Sequence, residues 1–227
     1  MGNSIKQKLI TREGYEVPWT GSDRRISASS SRSGRAKFWS PRIKRLMFAE
    51  SNNEHLLLYW LESKYREVSF YDTQPITLKV NSRPYTPDIG VVTSSGQSIL
   101  IEIKDFSFEP SEEWIEHFTA CQAIANEQGF ERLSLIKIDK SDKVYSYLSG
   151  LYQFLKFFDY AFASTLPKGF EGTVNDLWES YEFKIPVHKI YASMYYGFIN
   201  TKPSSYINLN TRVWIDHAAS TNQLSLE

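Results

Sequence analysis

The sequence predicts an α/β protein: a mixed sheet flanked by helices, followed by a small C-terminal domain of helices and a two-stranded ribbon. Apolar residues first recur at helical spacing, from Ile43 to Glu62. Strand-like runs follow between residues 68 and 104, and then a second helical segment and a strand reach residue 139. The order strand, helix, strand calls for a right-handed crossover, which places parallel strands in one sheet.

Composition narrows the class of protein. The 227 residues are 41% hydrophobic and 15% aromatic, enough for one large core or two small ones. The single cysteine, Cys121, excludes an internal disulfide and a four-cysteine zinc site. No leader opens the chain, and the longest apolar run, Leu56 to Leu61, is too short to span a bilayer. We therefore expect a cytoplasmic protein without membrane contact.

The net charge of zero conceals a basic N-terminal arm, residues 1–45. Residues 1–48 carry eleven basic and three acidic side chains, a net charge of +8. Such a segment can neutralise DNA phosphates. The alternative is a solubilising tail, against which Trp19, Phe38 and Trp39 argue, because such tails seldom carry large aromatic residues. The residues expected to bind nucleic acid are Arg24, Arg25, Arg32, Arg35, Lys37, Arg42, Lys44 and Arg45.

Apolar spacing predicts the first helix over Ile43 to Glu62, with Glu50 and Glu54 on one face. Glu54 directly precedes an apolar run, so we expect it to reach inward. A solvated helical face is the alternative for either glutamate. Next, Val68 to Val80 is typical of a strand interrupted at residues 72–75.

A hairpin is the strongest signal in the chain. A Pro-Asp turn ends at Asp88, an apolar run reaches Thr93, residues 94–96 reverse the chain, and a second run ends in Glu102-Ile103-Lys104. Because strand side chains alternate, Glu102 and Lys104 share a face and can meet Asp88 at the mouth of the hairpin. Two carboxylates and a lysine indicate a metal-dependent nuclease. For Glu-x-Lys alone, a solvated strand edge is the alternative.

The remaining segments complete the two domains. Ser111 is a predicted N-cap of a helix that Gly129 ends, and residues 132–139 alternate as a strand. The residue pattern of the C-terminal region predicts three helices and a hairpin, which together form a winged-helix arrangement. Its predicted elements are an aromatic helix from Tyr145 to Phe162, helices at Thr173–Tyr181 and Val187–Tyr196, and a hairpin of residues 206–210 and 212–216.

From Tyr145 onward, six basic and seven acidic residues give a charge of −1. This balance favours protein docking over DNA contact for the C-terminal domain. DNA contact through the third helix, with His188 and Lys189 near its start, is the alternative.

In order and spacing, these motifs resemble the PD-(D/E)xK restriction-endonuclease-like superfamily, and more narrowly the TnsA-type transposon endonucleases. The resemblance spans residues 20–140. Its elements are Arg24-Arg25-Ile26-Ser27, Ser33-Gly34-Arg35, Ser51-Asn52-Asn53-Glu54, Gln74-Pro75, Tyr85-Thr86-Pro87-Asp88 and Ile101-Glu102-Ile103-Lys104. It implies that Glu54, Asp88 and Glu102 hold the metal with the carbonyl of Ile103, and that Lys104 is the catalytic lysine. Glu50 lies outside the match.

The resemblance also implies a reaction and partners. Such enzymes use Mg²⁺, for which Mn²⁺ can substitute, to cut double-stranded DNA at the 5′ ends of a transposon. A DDE-type transposase cuts the 3′ ends, and an AAA+ regulator docks on the C-terminal part. The expected protein is bacterial and nucleoid-associated when active, with an arm (1–45), a nuclease core (46–143) and a winged-helix-like domain (144–227). The alternatives are a stand-alone restriction or repair nuclease and a catalytically inactive DNA-binding scaffold.

Overall fold

The computed structural model describes residues 10–12, 15–17, 36–63, 65, 67–139, 142–204 and 206–216. The chain divides into two compact units. Unit 1 is drawn from residues 1–55 and 67–139, and unit 2 from residues 56–66 and 140–227.

The described elements, in chain order, are as follows. The strands are β1 (Ile10–Arg12), β2 (Tyr15–Val17), β3 (Ala36–Ser40), β4 (Arg45–Ala49), β5 (Val68–Thr73), β6 (Leu78–Val80), β7 (Arg83–Tyr85), β8 (Ile89–Thr93), β9 (Ser98–Asp105), β10 (Arg132–Ile138), β11 (Glu171–Thr173) and β12 (Arg212–Trp214). The helices are α1 (Asn52–Ser63), α2 (Glu112–Glu127), α3 (Asp142–Tyr152), α4 (Tyr160–Ser164), α5 (Val174–Ser180) and α6 (Val187–Tyr195), with a 3-10 turn at Leu155–Phe157.

Unit 1 is built on a four-stranded mixed sheet in the order β10-β9-β8-β5. The pairs β5–β8 and β8–β9 are antiparallel, whereas β9 and β10 are parallel and are joined through α2. Every residue of β8 is buried, and so is β9 from Ser98 to Ile103. Burial on both faces is typical of central strands in such sheets. The predicted mixed sheet flanked by helices is confirmed, although β9 is covered on both faces.

The β8–β9 hairpin is confirmed, and its turn shows why the sequence specifies it. Gly96 adopts a φ of +85°, a conformation that glycine reaches without steric cost, and its N–H donates to the Thr93 carbonyl at 2.9 Å. The predicted cap of α2 is also confirmed, since the Ser111 hydroxyl accepts the N–H of Trp114 at 3.2 Å. These two local signals fix the start of β9 and the start of the crossover helix.

The helix predicted over Ile43 to Glu62 is wrong in its first part. Residues 45–49 form β4, which pairs antiparallel with β3, and α1 begins only at Asn52. Burial alternates along β4, with Met47 and Ala49 inside, so the period is two rather than 3.6. The Ser51 hydroxyl accepts the N–H of Glu54 at 3.1 Å, which is the capping contact of a new helix.

Side chains tie the β3–β4 hairpin to β5. The Tyr71 hydroxyl donates to the Ser40 hydroxyl at 3.0 Å, and Arg42 donates to the Val68 carbonyl at 2.8 Å. Arg45 contacts the buried carboxylate of Asp72 at 2.7 Å. Two of the arginines predicted to bind DNA therefore also hold this hairpin in place.

A second hairpin, β6–β7, has no counterpart in the sequence analysis. Its two-residue turn is Asn81-Ser82, and both residues have positive φ, +48° and +65°. Such turns match the twist of antiparallel strands. Because β7 ends on Tyr85, this hairpin delivers that side chain to the start of β8.

In unit 2 the predicted aromatic helix from Tyr145 to Phe162 is broken into α3, the 3-10 turn and α4. The break has a local cause: Phe158 is extended, and the Asp159 carboxylate caps α4 by accepting the N–H of Phe162 at 3.2 Å. Asp159 also binds Lys189 of α6 at 2.6 Å. A capping carboxylate thus overrides apolar spacing that suits one continuous helix.

The C-terminal hairpin was predicted with the wrong first strand. Strand β12 pairs with β11, and it also forms a bridge between Trp214 and Asn200. Residues 206–210 form no strand; the Asn208 side chain accepts the N–H of Asn210 and so favours a turn. The capping of α5 by Thr173 and the start of α6 after Pro186 are confirmed.

Among the described helices, none has the length and hydropathy of a membrane span.

Replacing Arg45 by Met should destabilise the protein by about 1–3 kcal/mol, because the buried Asp72 carboxylate loses the Arg45 guanidinium as a partner. Lys44→Met is the matched control, since the neighbouring Lys44 is exposed. Urea unfolding followed by tryptophan fluorescence measures both. Equal losses in the two variants would show that the ion pair adds no stability.

Candidate active site

Asp88 directly precedes β8, next to the end of β5 and opposite Glu102 within β9, and backbone groups from both sides bind it. The N–H of Ile103 donates to its Oδ2 at 2.7 Å. The N–H of Gln74, directly after β5, donates to its carbonyl at 2.8 Å. Since Ile89 pairs with Ile101, the strand register places Asp88 opposite Glu102. The structure thus places the two carboxylates where the hairpin pattern predicts them.

The pKa of Asp88 is shifted by the other predicted catalytic residues. Loss of solvation, followed by the charges of Glu102 and Glu54, raises the pKa of Asp88 to about 8, although the Ile103 N–H and Lys104 oppose the rise. One carboxyl therefore responds to Glu54, Glu102 and Lys104 together. The four predicted catalytic residues therefore interact electrostatically, and we call the three acidic ones (Glu54, Asp88 and Glu102) the carboxylate cluster.

Both carboxylate oxygens of Glu102 accept hydrogen bonds. Lys104 donates to Oε1 at 2.5 Å, and the Tyr85 hydroxyl donates to Oε2 at 2.7 Å. Glu102 is 7% exposed. Burial and the nearby carboxylate raise the pKa of the Tyr85 hydroxyl, so it stays protonated and donates. Tyr85 is a site residue to which sequence reasoning assigned no role.

Glu54 is held by the residues just before α1. The N–H of Glu50 donates to its Oε2 at 2.8 Å, and the Ser51 hydroxyl donates to its Oε1 at 2.8 Å. Glu54 is buried, as predicted. Glu50 lies ahead of the helix and contributes its backbone N–H to Glu54, which is a different relation from the shared helical face that was predicted.

Helix α2 supplies a second layer behind Glu102. The rings of His117 and Tyr85 meet edge to face at 5.9 Å, and His117 contacts the Cys121 sulfur at 3.5 Å. Burial, reinforced by Glu102, raises the pKa of Cys121 to about 11, so the thiol stays protonated. We read Cys121 as an inert packing residue next to the site.

The oxygen atoms of the carboxylate cluster are of the kind that binds a divalent cation. As the described side chains stand, no three acidic, histidine or cysteine groups enclose a metal ion. Each carboxylate of the cluster binds a neighbouring donor instead. The chemistry nevertheless fits Mg²⁺, which prefers oxygen ligands and is commonly bound by one or two carboxylates. Gln74, whose N–H donates to the Asp88 carbonyl, also has a buried side-chain oxygen, Oε1, without a hydrogen-bond partner.

The backbone of β9 adds one further oxygen. A residue in an antiparallel strand turns its N–H and its carbonyl toward the same neighbouring strand. Because the Ile103 N–H reaches Asp88 beyond the first residue of β8, the Ile103 carbonyl faces that side too. Its orientation is compatible with the metal role that the resemblance implies.

The residues predicted to bind nucleic acid fall into three groups. Lys37 and Lys44 are exposed on the outer surface of the β3–β4 hairpin, which also shows Trp39, half exposed, and Leu46. Arg42 and Arg45 make the hairpin contacts described above. Four of the arginines predicted to bind nucleic acid lie outside the described residues: Arg24, Arg25, Arg32 and Arg35.

The sheet provides an additional cation that sequence reasoning missed. Lys137 of β10 pairs in register with Lys104 of β9 and is exposed. Paired residues of neighbouring strands project from the same face, so Lys137 lies beside the cluster. The sequence alone predicts β10 as a strand that contains Lys137. Only the register with β9 shows that Lys137 lies beside Lys104.

Comparison of the sequence with models of known protein families found no match, and no curated protein is significantly similar to it.

The raised pKa of Asp88 predicts how stability depends on pH. A carboxyl whose pKa is higher in the folded than in the unfolded chain binds its proton more tightly when folded, so stability falls as pH rises from about 4 to about 8. Asp88→Asn should remove this loss and stabilise the protein by about 1 kcal/mol or more above pH 8, since each pKa unit corresponds to about 1.4 kcal/mol.

Urea unfolding of the wild type and Asp88→Asn at a series of pH values measures the difference. Below pH 4 the two proteins should be nearly equally stable, because both side chains are then uncharged. A difference in stability that does not change with pH would contradict the half-buried position of Asp88 among other charges.

Proposed function

We propose that the protein is a metal-dependent DNA endonuclease, with a restriction-endonuclease-like core in unit 1. The observation that carries the proposal is Asp88, a half-buried carboxyl that lies opposite Glu102 in the strand register and feels the charge of Glu54, with Lys104 paired to Glu102. Buried carboxylates of like charge are costly unless a cation or protons neutralise them. A divalent cation next to a lysine is a recurring arrangement for hydrolysing phosphodiesters.

Each residue has a role in this proposal. Asp88, Glu102, Glu54 and the Ile103 carbonyl would hold Mg²⁺, or Mn²⁺ in its place. When bound, the cation supplies Lewis acidity and lowers the pKa of a coordinated water. Lys104, with its side chain 29% exposed, reaches the surface from a buried strand and stabilises negative charge that develops on the phosphate.

The surface around the cluster suits DNA. Lys137 lies beside Lys104 on the sheet, and the outer surface of the β3–β4 hairpin presents Lys37, Lys44 and Trp39. Lysines of this kind bind phosphates without reading sequence. Together with the arginines of the arm, they would give binding that weakens steeply with salt.

The order and spacing of the motifs support a place in cut-and-paste transposition. In this proposal the protein cuts the 5′ ends of the element, a DDE-type transposase cuts the 3′ ends, and an AAA+ regulator docks on a winged-helix-like unit 2. The acidic balance of residues 145–227 supports a protein partner for that unit rather than DNA. A stand-alone nuclease would need no such partners.

One observation favours a second candidate, a DNA-binding scaffold without cleavage activity. The oxygens of Glu54 and Glu102 are already engaged by Ser51, Glu50, Tyr85 and Lys104. In a scaffold these contacts would be the permanent structure of the site. In the nuclease they are the arrangement that precedes cation binding.

A strand-specific cleavage assay separates the candidates. We expect Mg²⁺-dependent cutting of the 5′ strand at a transposon end, complete only with the transposase and the regulator. Lys104→Ala should slow it by about 100-fold or more, the usual cost of removing an electrostatic group from an active site. Lys79→Ala is the matched control, because Lys79 is exposed on β6 of the same unit.

Cutting by the protein alone would assign it to the stand-alone nucleases. Absence of cutting in every mixture, with DNA binding intact, would favour the scaffold. Equal activity of Lys104→Ala and Lys79→Ala would remove Lys104 from the mechanism.

A further inference from the structure

Gln74 combines two unfavourable features at one position. It is 9% exposed, and its Oε1 is buried without a hydrogen-bond partner. Its φ is +48°, a left-handed conformation that residues other than glycine seldom adopt. Buried polar atoms without partners and strained backbone each cost free energy, and strained residues cluster at functional sites.

The position of Gln74 relates both features to the carboxylate cluster. Its N–H donates to the carbonyl of Asp88 at 2.8 Å, which continues the β5–β8 pairing one residue beyond Thr73 and Ile89. The Asp88 side chain in turn accepts the N–H of Ile103 from β9. Gln74, directly after β5, therefore begins a row of residues that continues through Asp88 to β9 at the site.

From this we propose that Gln74 is a further oxygen donor of the cation site, with its Oε1 directed at the ion held by Asp88. The inference rests on the proposed function and identifies a ligand outside the carboxylate cluster. An amide oxygen is a suitable hard ligand for Mg²⁺ or Mn²⁺. It adds a donor without adding negative charge to three carboxylates that already repel one another.

The burial of Oε1 argues against other partners. An atom without solvent exposure cannot contact DNA directly, so a role in phosphate binding is excluded for the side chain as it stands. A cation between the amide oxygen and Asp88 satisfies the unpaired oxygen and neutralises the adjacent charge at once. A purely structural glutamine would instead be expected to have its oxygen paired within the fold.

The test is Mn²⁺ binding to the full chain at pH 8.5, followed by the electron paramagnetic resonance signal of free Mn²⁺. Gln74→Met preserves the length of the side chain and removes its oxygen. We expect Mn²⁺ affinity to fall about 10-fold or more, the range found when residues that support a metal are removed. Gln97→Met, an exposed position in the β8–β9 turn, is the matched control and should bind as the wild type does.

A second readout is the unfolding temperature without metal. If Gln74 serves the cation, Gln74→Met should unfold at the wild-type temperature or above it, because the unpaired buried oxygen is gone. If Gln74 serves only the fold, the same variant should unfold at a lower temperature. Normal Mn²⁺ affinity in folded Gln74→Met would overturn this inference alone, whereas a wild type that binds no Mn²⁺ would overturn the proposed function with it.

Gln74→Glu keeps the test decisive if Gln74→Met does not fold. It retains an oxygen at the same position and adds charge, so it should bind Mn²⁺ at least as tightly as the wild type while lowering the unfolding temperature without metal. Loss of Mn²⁺ binding in Gln74→Glu would contradict a ligand role.

Discussion

The position of Asp88, half-buried and close to the charges of Glu102 and Glu54, is the constraint on which the site in unit 1 depends. Loss of solvation, and after it repulsion from the other two carboxylates, raises the pKa of Asp88 to about 8. The surrounding contacts offset this repulsion: Ile103 donates to Asp88, and Lys104 and Tyr85 donate to Glu102. We interpret them as interactions that hold the site together until a cation binds.

The architecture explains how residues far apart in sequence reach this position. A capped helix start brings Glu54, the central β8–β9 hairpin brings Asp88 and Glu102, and the small β6–β7 hairpin brings Tyr85. The β3–β4 hairpin is fixed to β5 through Arg45 and carries exposed cations on its outer surface. A helix start and a strand hairpin therefore hold the acidic residues, whereas Lys37 and Lys44 are exposed, where a DNA phosphate can reach them.

What the sequence predicts correctly here is local. The turn around Gly96 and the cap at Ser111 are specified by adjacent residues, and they place Glu102 and Lys104 without knowledge of the rest. Residues 45–49 fit a helix and a strand equally well, and only pairing with β3 decides between them. Long-range contacts decide the remainder: the bond from Tyr85 to Glu102 spans 17 residues, and the unpaired oxygen of Gln74 is visible only once burial is known.

The measurement that tests the central claim most directly is iron-directed cleavage of the polypeptide. Fe²⁺ replaces Mg²⁺ in oxygen-rich sites, and with ascorbate and peroxide it cuts the backbone next to the place where it binds. The account predicts fragments that end near residues 54, 88 and 102 together, suppressed by excess Mg²⁺. Cuts confined to one of these segments, or located elsewhere, would contradict a cation site built from all three.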